Sequence, residues 1–416
     1  MSLQGPMIVV AEHPAADLVA ALAAAGAFPI IEANWTDAPT AFVSVRPSAV
    51  IIAEPGAPPS ESSSRMLCLQ IATAKGPIVP TIAFTDSGHD PALPIALPAD
   101  ASLPVSHAIA RLQSAMRVRA LHATVLRRIE LATTQGSTPP ELPLSDALDD
   151  ATVLIAGRGP HYAALSAAMG ERVKMVGALT VEGAARLLKS QDIDGIMIGD
   201  GFQPRAVDAF LTMLANEPRL RDIPVAVIGM APQNFADSLT HFVCIEDPAR
   251  LVARMVPLVR MRAFEARLAR MLTSLDADGT VDPETGLMTR DAFWRELNKA
   301  VADAADRSMS LSIARYSFDG AISDRAALDG ARLLTRLTRT IDFACRDDDG
   351  SILVAFTQTN LREAHGVARR IAAELKNAMT AKEALIANVT LATLKAGDTL
   401  DSLMQRVLGS RMVAAE

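Results

Sequence analysis

Thr338-Arg339-Thr340-Ile341-Asp342-Phe343-Ala344-Cys345-Arg346-Asp347-Asp348-Asp349-Gly350-Ser351-Ile352-Leu353-Val354-Ala355-Phe356 reads as the end of a helix, an acidic turn and an apolar strand. Asp, Gly and Ser are turn residues, and the five apolar residues after Ser351 form a short buried run. Arg339 and Asp342 stand three apart at the helix end, a spacing that places both side chains on one side. The bare spacing is a weak signal. It recurs at Arg205/Asp208, Arg219/Asp222 and Arg346/Asp349.

Upstream, Asp276-Ala277-Asp278-Gly279-Thr280 breaks a helix, and Val281-Asp282-Pro283-Glu284-Thr285-Gly286-Leu287-Met288-Thr289-Arg290-Asp291-Ala292-Phe293 follows. Thr-Gly-Leu, the Arg and the Phe lie in register with the opening motif of GGDEF domains, and Arg339/Asp342 follows at that family's interval. Residues 280–416 therefore resemble a GGDEF-type diguanylate cyclase domain. The resemblance implies a βααββαβ core with a mainly antiparallel sheet. It also implies that Arg339 and Asp342 are the family's inhibitory site, which binds cyclic di-GMP, with Arg370 in the helix Arg362–Leu375 as a secondary arginine. Arg369 beside it is the confounder. An Arg offers a planar fork to guanine O6/N7 or phosphate, and an Asp accepts from the guanine N1–H and amino group. The plainer alternative is a surface ion pair worth under about 1 kcal/mol.

The same resemblance argues against catalysis. Ala314, in Leu311–Tyr316, occupies the position of a metal-binding Asp, and Thr289 replaces the guanine-reading Asn. Asp348-Asp349-Gly350 stands where the catalytic glycines and acid belong. No catalytic residue, metal or cofactor is expected, and Asp347–Asp349 is read as a solvated acidic turn.

Working further back, the chain repeats itself. Met7–Pro14, Ser48–Ala53 and Val79–Phe84 read as buried strands, with an alanine-rich helix over Ala15–Ala25. Ala151–Ala156, Gly195–Gly199 and Pro224–Ile228 match them at an offset of about 145 residues, which marks a duplication. Each copy ends in a long helix, Ser106–Glu130 and Leu251–Leu275. The proline-rich stretch 136–143 separates the copies. Strands alternating with helices predict a parallel sheet covered on both faces. The fold class is therefore α/β: two flavodoxin-like parallel-sheet domains, 1–135 and 148–275, followed by the third domain at 280–416.

Both copies resemble receiver domains of response regulators, but without their chemistry. Ala53 and Gly199 stand at the phosphoryl-acceptor positions, and Ala156-Gly157 replaces the acidic pair of the second copy. Thr85 matches the family's hydroxyl residue, while Asp247-Pro248 replaces Lys-Pro. Glu54 and Asp200 lie one residue beyond the acceptor positions, and phosphorylation is not expected at either. The apolar spacing of Val118, Leu121, Val125 and Ile129 fits a helix covering its own sheet or a homodimer seam.

Composition narrows the rest. The net charge of −7 offers no basic field for nucleic acid, and no apolar run reaches membrane-span length. Cys68, Cys244 and Cys345 give neither a disulfide framework nor a zinc site and suit a reducing cytoplasm. The expected role is a bacterial signalling effector that binds cyclic di-GMP and meets unidentified signalling proteins, as a homodimer through its receiver-like domains. The alternatives are a nucleotide-independent scaffold and a residual cyclase.

Overall fold

The computed structural model describes residues 3–53, 61–84, 96–99, 104–134, 136, 138–143, 145–170, 173–229, 235, 238–277, 279–307, 309–318, 324–378 and 387–409. The first copy runs β1 (Met7–Val10), α1 (Ala16–Ala24), β2 (Ile30–Ala33), α2 (Ala38–Val45) and β3 (Ala49–Ile52). It continues through α3 (Glu61–Ala72), β4 (Thr81–Phe84), β5 (Ala96–Ala99) and α4 (Val105–Thr134). Its sheet is wholly parallel, in the order β2-β1-β3-β4-β5.

The second copy begins with a 3₁₀ turn at Ala147–Asp150. It then runs β6 (Thr152–Ala156), α5 (Pro160–Met169), β7 (Lys174–Ala178), α6 (Val181–Ser190) and β8 (Gly195–Ile198). After these come α7 (Pro204–Asn216), β9 (Val225–Ile228), β10 (Phe242–Ile245) and α8 (Pro248–Ala277). The parallel order β10-β9-β8-β6-β7 is the first sheet's order read from the other edge, the flavodoxin-like winding expected from the repeat.

The central strands were legible because they are buried on both faces. Ile8, Val50, Leu154, Ile196 and Val225 have no exposed surface. The sequence reading passed over β2, β5, β7 and β10, which are the four sheet edges. Their composition explains this: β2 is Ile-Ile-Glu-Ala with no fully buried residue, β5 contains Pro98, and β7 is mostly exposed.

The third part runs α9 (Arg290–Asp306), β11 (Leu311–Phe318), α10 (Asp324–Leu337), β12 (Phe343–Arg346) and β13 (Ile352–Thr357). It ends with α11 (Leu361–Ala378), β14 (Ala387–Thr393) and α12 (Leu400–Leu408). Its sheet is antiparallel in the order β12-β13-β11-β14. Ile313, Phe343 and Leu353 join Phe293 and Leu297 of α9 and Leu403 of α12 in one core. Ala314, Tyr316, Val354 and Phe356 join Leu334 of α10 and Ile371 of α11 in the other. Each face of the sheet therefore carries its own pair of helices.

The chain divides into two compact units. One comprises Pro6–Arg119 and Leu142–Ala269 and holds both parallel sheets; the other comprises Met1–Gly5, Ala120–Glu141 and Arg270–Glu416. Within the first, the two copies grip each other reciprocally. Arg111 of α4 donates to the Phe242 carbonyl of β10 at 3.0 Å, and Arg254 of α8 donates to the Ala99 carbonyl of β5 at 3.3 Å. The two arginines lie roughly one duplication interval apart.

Val118, Leu121 and Val125 are buried within the single chain. These three have no free face to offer a second copy, while Ile129, the fourth residue of that spacing, is half-buried. The helices themselves are longer than read, thirty residues each, and α8 carries Pro257 inside it. No helix among the described residues is long and apolar enough to cross a membrane.

Candidate functional site

Residues 338–342 form a turn between α10 and β12, closed by the Asp342 N–H donating to the Arg339 carbonyl at 3.0 Å. The β12–β13 ladder ends with Phe343 opposite Ala355, so the next free donor on β13 is the Thr357 N–H. The Asp342 carboxylate takes it at 3.0 Å, and the Thr357 hydroxyl donates to the Ile341 carbonyl at 3.1 Å. The turn is thereby clamped to the end of β13. Burial pushes the Asp342 carboxyl up to about 7, against the opposing pull of the Arg339 charge and the Thr357 N–H.

This corrects the picture of a solvent-facing ion pair. Asp342 is half-buried and committed to the backbone, whereas Arg339 is exposed, and among the described residues no hydrogen bond or ion pair holds its guanidinium. Arg370 lies exposed on α11, which packs beside α10, and no hydrogen bond or ion pair joins it to Arg339 or Asp342. The structure thus brings Arg339 and Asp342 into one turn and leaves Arg370 on the neighbouring helix.

The other three Arg-x-x-Asp pairs go elsewhere. Asp222 meets Arg117 of α4 at 3.5 Å, Asp349 meets Arg315 of β11, and Arg205 and Asp208 stand exposed on α7.

The acidic hairpin, Asp347–Ser351, closes through the Asp347 N–H to the Ser351 carbonyl at 2.8 Å. Asp348, whose side chain is 82% exposed, comes nearest to the expected solvated turn, although the Arg290 guanidinium stands 3.4 Å from its carboxylate. Asp347, 14% exposed, takes Arg290 at 2.9 Å, and Asp349 pairs with Arg315. Burial works against the Asp349 charge, but bonds from Ser351 and Arg315 outweigh it and hold the carboxyl below its ordinary range. These pairings were missed because Arg290 and Arg315 approach through the fold, not through local spacing.

A divalent ion does not fit here as it would in a cyclase. All three carboxylates already face guanidinium groups, Asp347 and Asp348 sharing Arg290 and Asp349 holding Arg315, and Ala314 is a fully buried methyl in the apolar core.

The opening loop lies beside this hairpin. The Met288 N–H donates to Ala344 of β12 at 2.8 Å, and Gly286 turns back at φ +73, where a Cβ would press on Thr335 of α10 at 3.3 Å. Arg332 donates to the Glu284 carbonyl at 2.8 Å and fixes the loop against α10. Thr285, Met288, Thr289, Arg290, Arg325 and Arg346 line a cleft of about 570 Å³.

Beneath the opening loop lies a buried charge cluster absent from the sequence reading. Glu296 of α9 has no exposed surface, and it meets Arg127 at 2.8 Å and Arg128 at 3.7 Å. Arg128 also meets Asp276 at 3.2 Å and donates to the Met288 sulfur at 3.1 Å. Burial raises the Asp276 carboxyl, partly offset by Arg128. The apolar heptad spacing of α4 drew attention away from its two consecutive arginines.

Gly199 directly follows β8 and carries no side chain to accept a phosphoryl group. Asp200 turns towards His161 of α5, its Oδ2 standing 3.2 Å from the imidazole Nδ1. Ala53 follows β3, while Glu54 and Thr85 lie outside the described residues.

No family model matches the chain, and no curated protein matches it. Among solved structures, the coiled coil and GGDEF domain of DgcB from Caulobacter crescentus, in complex with c-di-GMP, is 22% identical with a TM-score of 0.30. That match covers 34% of this chain and 83% of that one. The FimX GGDEF domain from Pseudomonas aeruginosa is 17% identical at a TM-score of 0.29, covering 31% of this chain and 89% of that one. An active GGEEF domain of a diguanylate cyclase from Vibrio cholerae is 18% identical at 0.28, covering 29% and 86%.

Proposed function

We propose that residues 280–416 form a non-catalytic GGDEF-type module that binds cyclic di-GMP through Arg339, Asp342 and Arg370, and that the chain is a signalling effector. The observation that carries this reading is the turn at 338–342. One guanidinium stands exposed and uncommitted, beside a carboxylate held in a fixed position by Thr357. Such a pair suits a guanine edge, with the acid accepting from N1–H and the amino group while the arginine reaches O6/N7 or a phosphate. Ala314 and the arginine-bound hairpin support the absence of cyclase activity.

The two parallel-sheet copies would act as receiver-type interaction surfaces that take no phosphoryl group at Ala53 or Gly199. A homodimer through them would use a face other than Val118, Leu121 and Val125, which are buried. The signalling proteins it meets would engage these copies in a cytoplasmic setting.

A second reading, the nucleotide-independent scaffold, draws on one specific observation: the Asp342 carboxylate already has a backbone partner. Calorimetry with cyclic di-GMP separates the two. Binding that Arg339→Ala weakens supports the effector. A wild-type protein that shows no heat at tens of micromolar ligand favours the scaffold.

A further inference from the structure

We propose that His161 is a phosphoryl-accepting histidine, oriented by Asp200, at the carboxyl edge of the second parallel sheet. The sheet order places β6 and β8 side by side at the point where the winding reverses, the crevice where doubly wound sheets present their chemistry. The loops leaving these two strands carry Gly157-Arg158-Gly159-Pro160-His161 and Gly199-Asp200-Gly201-Phe202.

The crevice is shaped by missing side chains. A Cβ on Gly159 would collide with the Asp200 carboxylate, and a Cβ on Gly201, which sits at φ +88, would press on Arg158 at 3.0 Å. Arg158 is held in turn by the Leu179 carbonyl at 2.5 Å and by the Phe202 ring, 5.9 Å from its centroid. With both glycines in place, the Asp200 carboxylate enters the β6–α5 loop and meets the imidazole Nδ1 at 3.2 Å.

The exposure pattern fixes the direction of the chemistry. Nδ1 of His161 and Oδ1 of Asp200 are fully buried atoms, and neither has a hydrogen-bond partner among the described residues. The ring nevertheless keeps 42% of its surface open, so its exposure lies on the side away from Nδ1. A carboxylate facing Nδ1 at 3.2 Å favours the tautomer with its proton on that nitrogen, which leaves the Nε2 lone pair outward, the arrangement in which an imidazole acts as base or nucleophile. Among the described residues no Ser, Thr or Cys hydroxyl or thiol makes a hydrogen bond to this histidine for it to activate. The histidine itself is thus the nucleophile.

The step is a phosphoryl transfer from a phosphoramidate-type donor, either the small molecule or a phosphohistidine on a carrier protein. Nε2 attacks phosphorus, the donor P–N bond breaks, and the donor nitrogen leaves with its own protons. The product is an Nε2-phosphoryl imidazole that retains Nδ1–H. Its ring carries a positive charge, which the Asp200 carboxylate balances. Nothing is oxidised or reduced, and no metal enters the step. This inference stands apart from the proposed ligand site at Arg339.

The test incubates the full chain with potassium phosphoramidate and follows incorporation by intact mass and phosphate-affinity electrophoresis. One phosphoryl group should appear, stable to base, labile to acid, and mapped to His161 by peptide analysis. His161→Gln should abolish it. Asp200→Asn should slow it by about ten- to a hundredfold, the scale seen when the carboxylate behind a metal-ligating imidazole is removed. His365→Ala, at an exposed histidine on α11, should leave it unchanged. Retained circular dichroism and unfolding midpoints in both variants would tie the losses to chemistry. An unlabelled wild type, equal labelling of His161→Gln, or a base-labile, hydroxylamine-sensitive adduct on Asp200 would each overturn the proposal.

Discussion

Arg127–Glu296 and Arg290–Asp347 are the same chemical pair at nearly the same separation, 2.8 and 2.9 Å, in the same compact unit. Glu296 has no exposed surface, whereas Arg290 keeps 44% of its side chain in solvent. In the interior, an unpaired charge cannot recover its hydration, so each member of the Arg127–Arg128–Glu296–Asp276 cluster depends on the others. At the hairpin, water replaces any partner that is lost. Geometry alone would rank the two pairs as equals; burial separates them. A third case, Arg339 and Asp342, lies between them: the acid is half-buried and spent on backbone, and the base is free. Only this arrangement leaves a guanidinium available to something outside the chain.

The largest effect expected from this contrast is at Glu296. Glu296→Leu removes the fully buried acid that two buried guanidinium groups share, leaving Arg128 with Asp276 and Arg127 with the more distant Asp303 at 3.6 Å. It should cost about 3–5 kcal/mol, read as a fall in the urea midpoint. A loss below 1 kcal/mol would show that water enters the cluster and would erase the distinction between the two pairs.

Next comes Arg339→Ala. A charge-assisted bond to a guanine or phosphate contributes about 1.5–3 kcal/mol, so affinity for cyclic di-GMP should fall roughly ten- to over a hundredfold. Stability should be unmoved because the side chain holds nothing in the chain. Equal affinity in the variant would remove Arg339 from the site.

Asp342 should split by substitution and by pH. Asp342→Ala leaves the Thr357 N–H without its acceptor, at about 1–3 kcal/mol, while Asp342→Asn can keep that bond. The folded-state carboxyl is raised to about 7, so its contribution to stability is fully present below the ordinary carboxylate range and is lost as pH rises through about 7. Wild type should therefore lose stability between about pH 4 and 7 relative to Asp342→Asn, with no further loss above that. Over the same interval its affinity for the dinucleotide should rise, because guanine donors need the ionised acid. Parallel pH profiles for the two proteins would refute the raised carboxyl.

Arg315→Ala frees Asp349 at the surface and should cost less than about 1 kcal/mol. GTP turnover with Mg²⁺ or Mn²⁺ should stay absent, since freeing one carboxylate does not supply the acid missing at Ala314. Cyclic di-GMP formed by this variant would show that Arg315 alone restrains a competent site. Smallest of all is Arg205→Ala, a decoy of equal spacing on α7, which should not alter ligand binding at all. A measurable loss there would move the site.

What the chain disclosed in advance follows the same division between local and distant partners. The buried central strands are continuous apolar runs, so Val153–Ala156 and Ile196–Ile198 announce themselves. The edges, such as Lys174–Ala178, are half-exposed and do not. Arg339 and Asp342 were legible as a spacing, because three residues across a turn are local. Asp342's partner was not: Thr357 lies fifteen positions on and donates through its backbone, which carries no residue signature. Arg290 and Arg315 reach the hairpin from 57 and 34 positions away. Arg127 and Glu296 meet across 169. Charge partners brought together by tertiary structure leave no periodic trace.

The crossed grip of Arg111 and Arg254 has one further consequence. Two separate domains held by such a contact would come apart on dilution, with a partnership set by how much protein the cell makes. Here the halves belong to one chain, and covalent linkage keeps each at an effective concentration of about millimolar around the other. Their pairing is therefore indifferent to expression level. A chain built this way can serve at a few copies per cell with its two α/β halves always engaged.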